Sequence, residues 1–317
     1  MPAHPIVRTV AGDIPADRLG VCYPHEHVFG APPAGMAATD FRLDDEAAAL
    51  REVGWFREAG GRALVDMSTP DYQRDAAGLR RVSDATGVHI VCATGFNKDT
   101  FSRPWVDPRS VDELVALYVR EVTAGIDGTD VRAGVIKAAT TLHAVSDCGE
   151  KMLRAAARAQ AITGAPISTH TEAGTMALEQ VALLREEGAD PRRVIIGHMD
   201  RKLEMDYLRE VAATGAFLGI DQISKEKYYP DRARIDAILA LASEGFGGQL
   251  LLSGDLARRS YWPAYGGGPG FTYILWRFVP WLREAGASEA LIRDLLVHNP
   301  ARALGFIPLS TPESAGT

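Results

Sequence analysis

One pattern recurs along the chain and constrains its fold more than any other feature. A short apolar, β-branched run is followed by a longer amphipathic stretch, eight times over. Strands are predicted at 20–24, 62–67, 88–94, 133–139, 165–170, 193–198, 216–221 and 250–254. Helices are predicted near 44–59, 71–86, 110–126, 147–163, 174–187, 203–214, 231–244 and 272–298. Val194-Ile195-Ile196 and Leu250-Leu251-Leu252 are apolar on both faces, as strands of a helix-covered parallel sheet are. Ala177, Val181 and Leu184 share one face of the helix after the fifth strand. Asp147 with Glu150 three residues later predicts a helix N-cap and its capping-box partner. Asn299-Pro300 predicts the start of a short last helix, where the missing proline N–H costs nothing.

Eight strand–helix units predict an α/β fold, a (β/α)8 TIM barrel spanning 1–317 as a single domain. The doubly wound alternative lacks a G-x-G-x-x-G after the first strand. The glycines at 266, 267, 268 and 270 come late and lie between a strand and a helix, so they form a loop. A chain with 46% hydrophobic and 24% charged residues has ordinary globular usage. Its net charge of −7 argues against nonspecific nucleic-acid binding. Cys22, Cys92 and Cys148 are an odd number without C-x-x-C spacing, so neither a disulfide framework nor a thiolate zinc site is expected. There is no apolar signal region near the N-terminus and no apolar run of membrane-spanning length. The expected address is cytoplasmic, with no membrane partner.

Chemistry in such a barrel belongs at the C-terminal ends of its strands. The first strand ends in His25-Glu26-His27, the fourth in Val135-Ile136-Lys137, and the fifth in Thr169-His170-Thr171. The sixth ends in Gly197-His198-Met199 and the eighth in Gly254-Asp255. His25 and His27 are two apart and share a strand face, whereas Glu26 points away and is read as structural. Imidazoles converging with a carboxylate suit a divalent transition metal such as zinc. A lone barrel histidine is more often a hydrogen-bonded structural residue. Five strand ends carrying His, Lys or Asp argue against that for the set. His4, His89, His143 and His298 have no such place and are read as structural or exposed.

Lys137 is costly inside a barrel unless paired or chemically changed. It can form a Schiff base, as in a lyase, or react with carbon dioxide to give an anionic carbamate able to bridge two metals. The nearby histidines favour the carbamate.

With these residues the chain resembles the phosphotriesterase family of the amidohydrolase superfamily, from His25-Glu26-His27 to His298-Asn299-Pro300-Ala301-Arg302. The resemblance implies two divalent transition metals, zinc first, with manganese or cobalt able to use the same ligands. It implies that His25, His27 and Asp255 hold the more buried metal and His170 and His198 the more exposed one. Carbamylated Lys137 and a hydroxide then bridge the two. By the same resemblance the hydroxide attacks a carbonyl or phosphoryl centre, and Asp255 accepts and returns its proton. A homodimer is the family expectation. The rivals are a Schiff-base lyase using Lys137 and a non-catalytic binding protein on a relic barrel.

The substrate must be read from the loops. After the eighth strand come Arg258, Arg259, Tyr261 and Trp262, then a glycine run. After the seventh come Lys225 and Lys227. Taken singly these are ordinary solvated charges. Together an Arg, a Tyr hydroxyl and a Lys suit a phosphate dianion. The set resembles a subgroup hydrolysing phosphorylated sugar lactones, which implies that Lys227, Arg258 and Tyr261 bind the phosphate of a small-molecule substrate. The Gly197-His198-Met199-Asp200-Arg201 segment shares that resemblance. The alternative is a lactonase or phosphotriesterase for neutral apolar substrates, such as acyl-homoserine lactones or organophosphates, with Tyr261 and Trp262 as an apolar wall. Asn97, Lys98, Glu172 and Asp200 are weaker candidates for lining the pocket or orienting imidazoles. Trp276, Phe278 and Trp281 are read as core or dimer contacts.

Overall fold

A computed structural model describes residues 4–33, 36 and 38–309. Residues 1–3 and 310–317, the ends of the predicted 1–317 domain, lie outside the described residues. Two short strands, β1 (Ile6–Thr9) and β2 (Gly12–Pro15), form an antiparallel hairpin. Eight more make a single parallel sheet in chain order: β3 (Cys22–Glu26), β4 (Ala63–Asp66), β5 (His89–Gly95), β6 (Val135–Ala139), β7 (Ile167–His170), β8 (Val194–Ile196), β9 (Phe217–Ile220) and β10 (Leu250–Leu252). Each lies within a few residues of a predicted strand. The sheet curls into the expected (β/α)8 barrel. The seam between β3 and β10 is spanned by His25 N–H to Ser253 Oγ (2.9 Å) and Asp255 N–H to the His25 carbonyl (3.2 Å).

The helices are α1 (Glu46–Glu58), α2 (Ala76–Thr86), α3 (Asp99–Val106), α4 (Val111–Thr123), α5 (Asp147–Thr163), α6 (Ala177–Glu186), α7 (Met205–Ala213), α8 (Asp231–Ser243), α9 (Val279–Glu284), α10 (Glu289–Arg293) and α11 (Asn299–Leu304). Three expectations need correction. The N-cap of α5 is Ser146, whose side chain accepts from Gly149 N–H at 3.0 Å. Asp147 is the first helical residue, where its charge complements the helix dipole, and Glu150 pairs with Arg154. The long helix predicted at 272–298 is broken, because Gly286 turns at φ 106° and Ser288 caps a new start. The hairpin and α3 had no clear signal. The hairpin turn lacks an Asn-Gly or Asp-Gly pair, and α3 carries an interior proline, Pro104.

Two apolar clusters hold the architecture. The larger packs the helices onto the outside of the barrel. The smaller fills its interior, with Cys22, Val65, Val91, Val135, Ile195, Phe217 and Leu251 beneath the sealing hairpin residue Val7. Two residues further along these strands the inward positions turn polar: Val135 gives way to Lys137, Phe217 to Gly219 and then Asp221, and Leu251 to Ser253 and then Asp255. The strand period of two thus sets a chemical site on an apolar floor. Among the described residues, no helix is long and apolar enough to cross a membrane.

Candidate metal centre

The five predicted strand ends converge on one buried cluster at the mouth. His27 Nε2 lies 3.3 Å and His25 Nε2 3.9 Å from Asp255 Oδ1. Nitrogen and oxygen donors of His25, His27 and Asp255 all lie within 4.8 Å of one another, and those of His25, His198 and Asp221 do the same. Neither ring nitrogen of His25 has a hydrogen-bond partner, although both are buried. Burial drives its pKa well below the ordinary value, so the ring offers a lone pair. His27 is oriented from behind by Ser68 Oγ, 2.9 Å from Nδ1.

His170 Nδ1 and His198 Nε2 face one another at 2.8 Å. Asp221 Oδ1 lies 2.7 Å from His198 Nδ1, and Glu172 Oε2 3.3 Å from His170 Nε2. A carboxylate behind each ring assigns the N–H to that side. Burial pushes both pKa values down to about 3, so both rings are neutral. Two lone pairs are left pointing into the same space, an arrangement that a cation relieves. The donor set of three imidazole edges, an orphaned buried histidine and a carboxylate fits divalent metal.

Lys137 is buried among these groups, and its Nζ donates to the Met67 carbonyl at 3.1 Å. Burial depresses its pKa despite the nearby carboxylates, which makes the amine more available as a nucleophile. Asp255 is the opposite case. Burial would raise its pKa, but the Lys225 ammonium and His27 outweigh it and hold the carboxyl well below the usual range. His198 and Asp255 both sit in left-handed backbone, at φ 61° and 47°. Non-glycine residues held there store strain that the surroundings must impose.

Lys227, Arg258 and Tyr261 also come together. Lys227 Nζ donates to the Tyr261 hydroxyl at 2.9 Å, and the Arg258 guanidinium lies 6.0 Å from the centre of the Tyr261 ring. Arg258 is steadied by the Phe41 ring at 3.9 Å and Asp40 at 3.4 Å. Arg259 turns away to Asp44 at 2.6 Å. Trp262 is fully buried, its indole N–H bonded to the Leu256 carbonyl at 2.9 Å, so it forms no wall of the mouth. Lys98 and Arg201 both pair with Glu172, at 2.7 and 3.0 Å. Asn97 accepts from Lys98 N–H and donates its own N–H to Asp71, a loop-capping role. Glu26, read as structural, accepts from Gly254 and Leu256 N–H at 2.6 and 2.9 Å and so fixes the loop that carries Asp255.

Four contributors escaped the sequence reading. Asp221 and Gln222 directly follow β9, and Asp66 ends β4; acids at strand ends are the signal that points to both aspartates. Asp66 accepts from Val28 and Phe29 N–H, fixing the chain beyond His27. Lys225, in sequence one of several loop charges, has a side chain only 5% exposed that reaches Asp255. Asp200 is not at the mouth. It is buried, accepting from Asp221 and Gln222 N–H and from Arg234.

The sequence profile of the phosphotriesterase family matches residues 5–304. The phospho-furanose lactonase of Mycoplasmopsis synoviae is 33% identical over 94% of this chain and 91% of its own. The crystal structure of a lactonase from Listeria monocytogenes superposes with a TM-score of 0.92 at 40% identity, covering 95% of this chain and 99% of that one. That of the Escherichia coli phosphotriesterase homology protein, complexed with phosphate in its active site, gives 0.87 at 37% identity, over 90% and 99%.

Proposed function

The chain belongs to the phosphotriesterase family, a hydrolase family, and from that premise we propose that it opens phosphorylated sugar 1,4-lactones. His25, His27 and Asp255 would hold one divalent metal and His170 and His198 a second, with Lys137, as a carbamate, supplying further oxygen ligands. Zinc is the first choice for this nitrogen-rich set, with manganese or cobalt as alternatives. Bound there, the two metals supply an activated water and a Lewis acid for the ring carbonyl.

The chain's own residues do the rest. Asp255 takes a proton from the attacking water and returns it to the departing ring oxygen, which becomes the free hydroxyl of the sugar acid. Asp221, Glu172 and Ser68 hold the imidazoles in place from behind. Lys227, Arg258 and Tyr261 hold the phosphate and so fix the lactone ring relative to the centre.

The observation that carries the substrate reading is the Lys227–Tyr261 contact at 2.9 Å beside Arg258. It gathers two cations and a hydroxyl on the loops that flank Asp255, and dianions are held by such groups. The similar Mycoplasmopsis enzyme named for phospho-furanose lactones supports it, as does phosphate in the Escherichia coli active site. The test is a panel of sugar 1,4-lactones, each with and without a 5-phosphate, offered to metal-loaded enzyme. Preference for the phosphorylated members supports the proposal. Equal turnover of neutral lactones removes the phosphate from it and favours the apolar-substrate alternative.

A further inference from the structure

Lys225 contributes a buried ammonium to a site already rich in nitrogen, and no role in binding metal or phosphate accounts for its contacts. A buried ammonium needs acceptors for its donors. Here Nζ donates to Asp255 Oδ2 at 2.8 Å, to the Asp255 backbone carbonyl at 2.7 Å and to Gln222 Oε1 at 2.9 Å. Gln222 Nε2 in turn donates to the same Asp255 Oδ2 at 2.9 Å. Lys225 thus grips Asp255 at both side chain and backbone, directly and through Gln222.

The result is a division of labour within one carboxylate. Oδ2 faces Lys225 and Gln222. Oδ1 faces His27 and His25. The grip on the carbonyl also helps Asp255 keep its left-handed backbone at φ 47°, a region uncommon for residues other than glycine.

The loop carrying Lys225 is built for this. Ser224 stands at φ 78°, and its N–H is held by Asp231 Oδ1 at 3.0 Å. Arg234, fully buried, bonds Asp231 and Asp200 at 2.9 and 2.6 Å. The ammonium is therefore delivered from a braced turn rather than from a mobile tether.

We propose that Lys225 is the positioning residue for Asp255: it turns the carboxylate so that Oδ1 faces His25 and His27, where a metal would be held. The proposal rests on reading Asp255 as a metal ligand. It separates Lys225 from Lys227, which lies two residues on and points to Tyr261.

The test compares wild type, Lys225→Met, which keeps the side-chain length, and Lys225→Arg, which keeps the charge. Removing a partner that orients a metal ligand lowers activity by roughly 10–100-fold. We expect that loss in Lys225→Met, with KM nearly unchanged, and equally for lactones with and without phosphate. Lys225→Arg should recover part of it. Cobalt-loaded Lys225→Met should keep both metals and show an altered visible ligand-field band, because Asp255 is free to turn. If Lys225→Met does not fold, the band and kcat of Lys225→Gln, which also removes the charge, are read instead, and values identical to wild type overturn the proposal. A rise in KM confined to phosphorylated lactones, with an unchanged band, also overturns it and makes Lys225 a phosphate ligand. The cobalt band needs no substrate. A wild type that holds metal but opens no lactone thus refutes the substrate reading alone, and the band still decides the role of Lys225.

Discussion

His198 Nε2 stands 2.8 Å from His170 Nδ1, with a carboxylate behind each ring: Asp221 for His198 and Glu172 for His170. Neutral rings so oriented aim lone pair at lone pair, and a bound cation turns that repulsion into coordination. Metal should therefore stabilise the fold. A ligand bound only to the native state at a thousand times its dissociation constant adds about 4 kcal/mol. Zinc-loaded protein should melt several degrees above chelator-treated protein, and the difference should shrink in His198→Asn. Melting curves with and without chelator measure it. Equal melting temperatures would contradict the arrangement.

Lys137 is buried with one backbone acceptor for its amine. If its carbamate bridges the metals, Lys137→Ala should lose more activity than the roughly 10–100-fold that removal of an outer partner costs. A short carboxylic acid added to that variant should restore part of the loss, because it supplies the missing pair of oxygens. Full activity of Lys137→Ala without such an acid would remove the carbamate from the account.

Arg234 is fully buried between Asp200 and Asp231. Asp200 also accepts the N–H groups of Asp221 and Gln222. Removing the arginine leaves buried carboxylates without their cation, which costs about 3–5 kcal/mol. Arg234→Met should lower the urea midpoint accordingly and disturb the turn after β9. A midpoint within error of wild type would show that the brace is not needed.

The hairpin below the barrel gives a pH dependence away from the metal site. Arg8 grips Asp13 with two bonds, at 2.8 and 2.9 Å, and Arg132 adds a third at 3.3 Å. Partial burial would raise the Asp13 pKa, but the two arginines outweigh it and hold the carboxyl below its ordinary 3.8. A carboxyl lowered in the folded state stabilises the fold above the unfolded value. That stabilisation disappears as pH falls through the folded value. Urea midpoints of wild type and Asp13→Asn should differ at about pH 7 and draw together as the pH falls below the ordinary carboxylate value. A gap that is constant with pH would mean that the pair contributes packing rather than charge.

The barrel was legible in the sequence because its signal is repetition. Eight apolar runs each predict a strand, and the inward residues that end them are chemically conspicuous. Lys137 and the four histidines stand out against apolar neighbours. Contacts between distant loops are harder to read. Nothing in Ser224-Lys225-Glu226-Lys227 says which lysine turns inward; that depends on the φ of Ser224 and the brace from Arg234. Likewise the adjacent Arg258 and Arg259 read alike, but the fold sends one to Phe41 beside the mouth and the other outward to Asp44. Trp262 looked available for an apolar wall and is instead packed beneath its own loop. Helix ends are hard to read where two neighbouring side chains can cap, as with Ser146, which caps α5 ahead of Asp147.

The proposed hold of Lys227, Arg258 and Tyr261 on a substrate phosphate is read from the ratio of kcat/KM for a sugar 1,4-lactone with and without a 5-phosphate, in wild type and in Arg258→Met. A site built around a charged group rejects the analogue lacking it, and the wild-type ratio should exceed about 100. It should fall steeply in Arg258→Met, while turnover of the neutral lactone stays close to wild type. A wild-type ratio near one, or a ratio that Arg258→Met leaves untouched, would contradict the account.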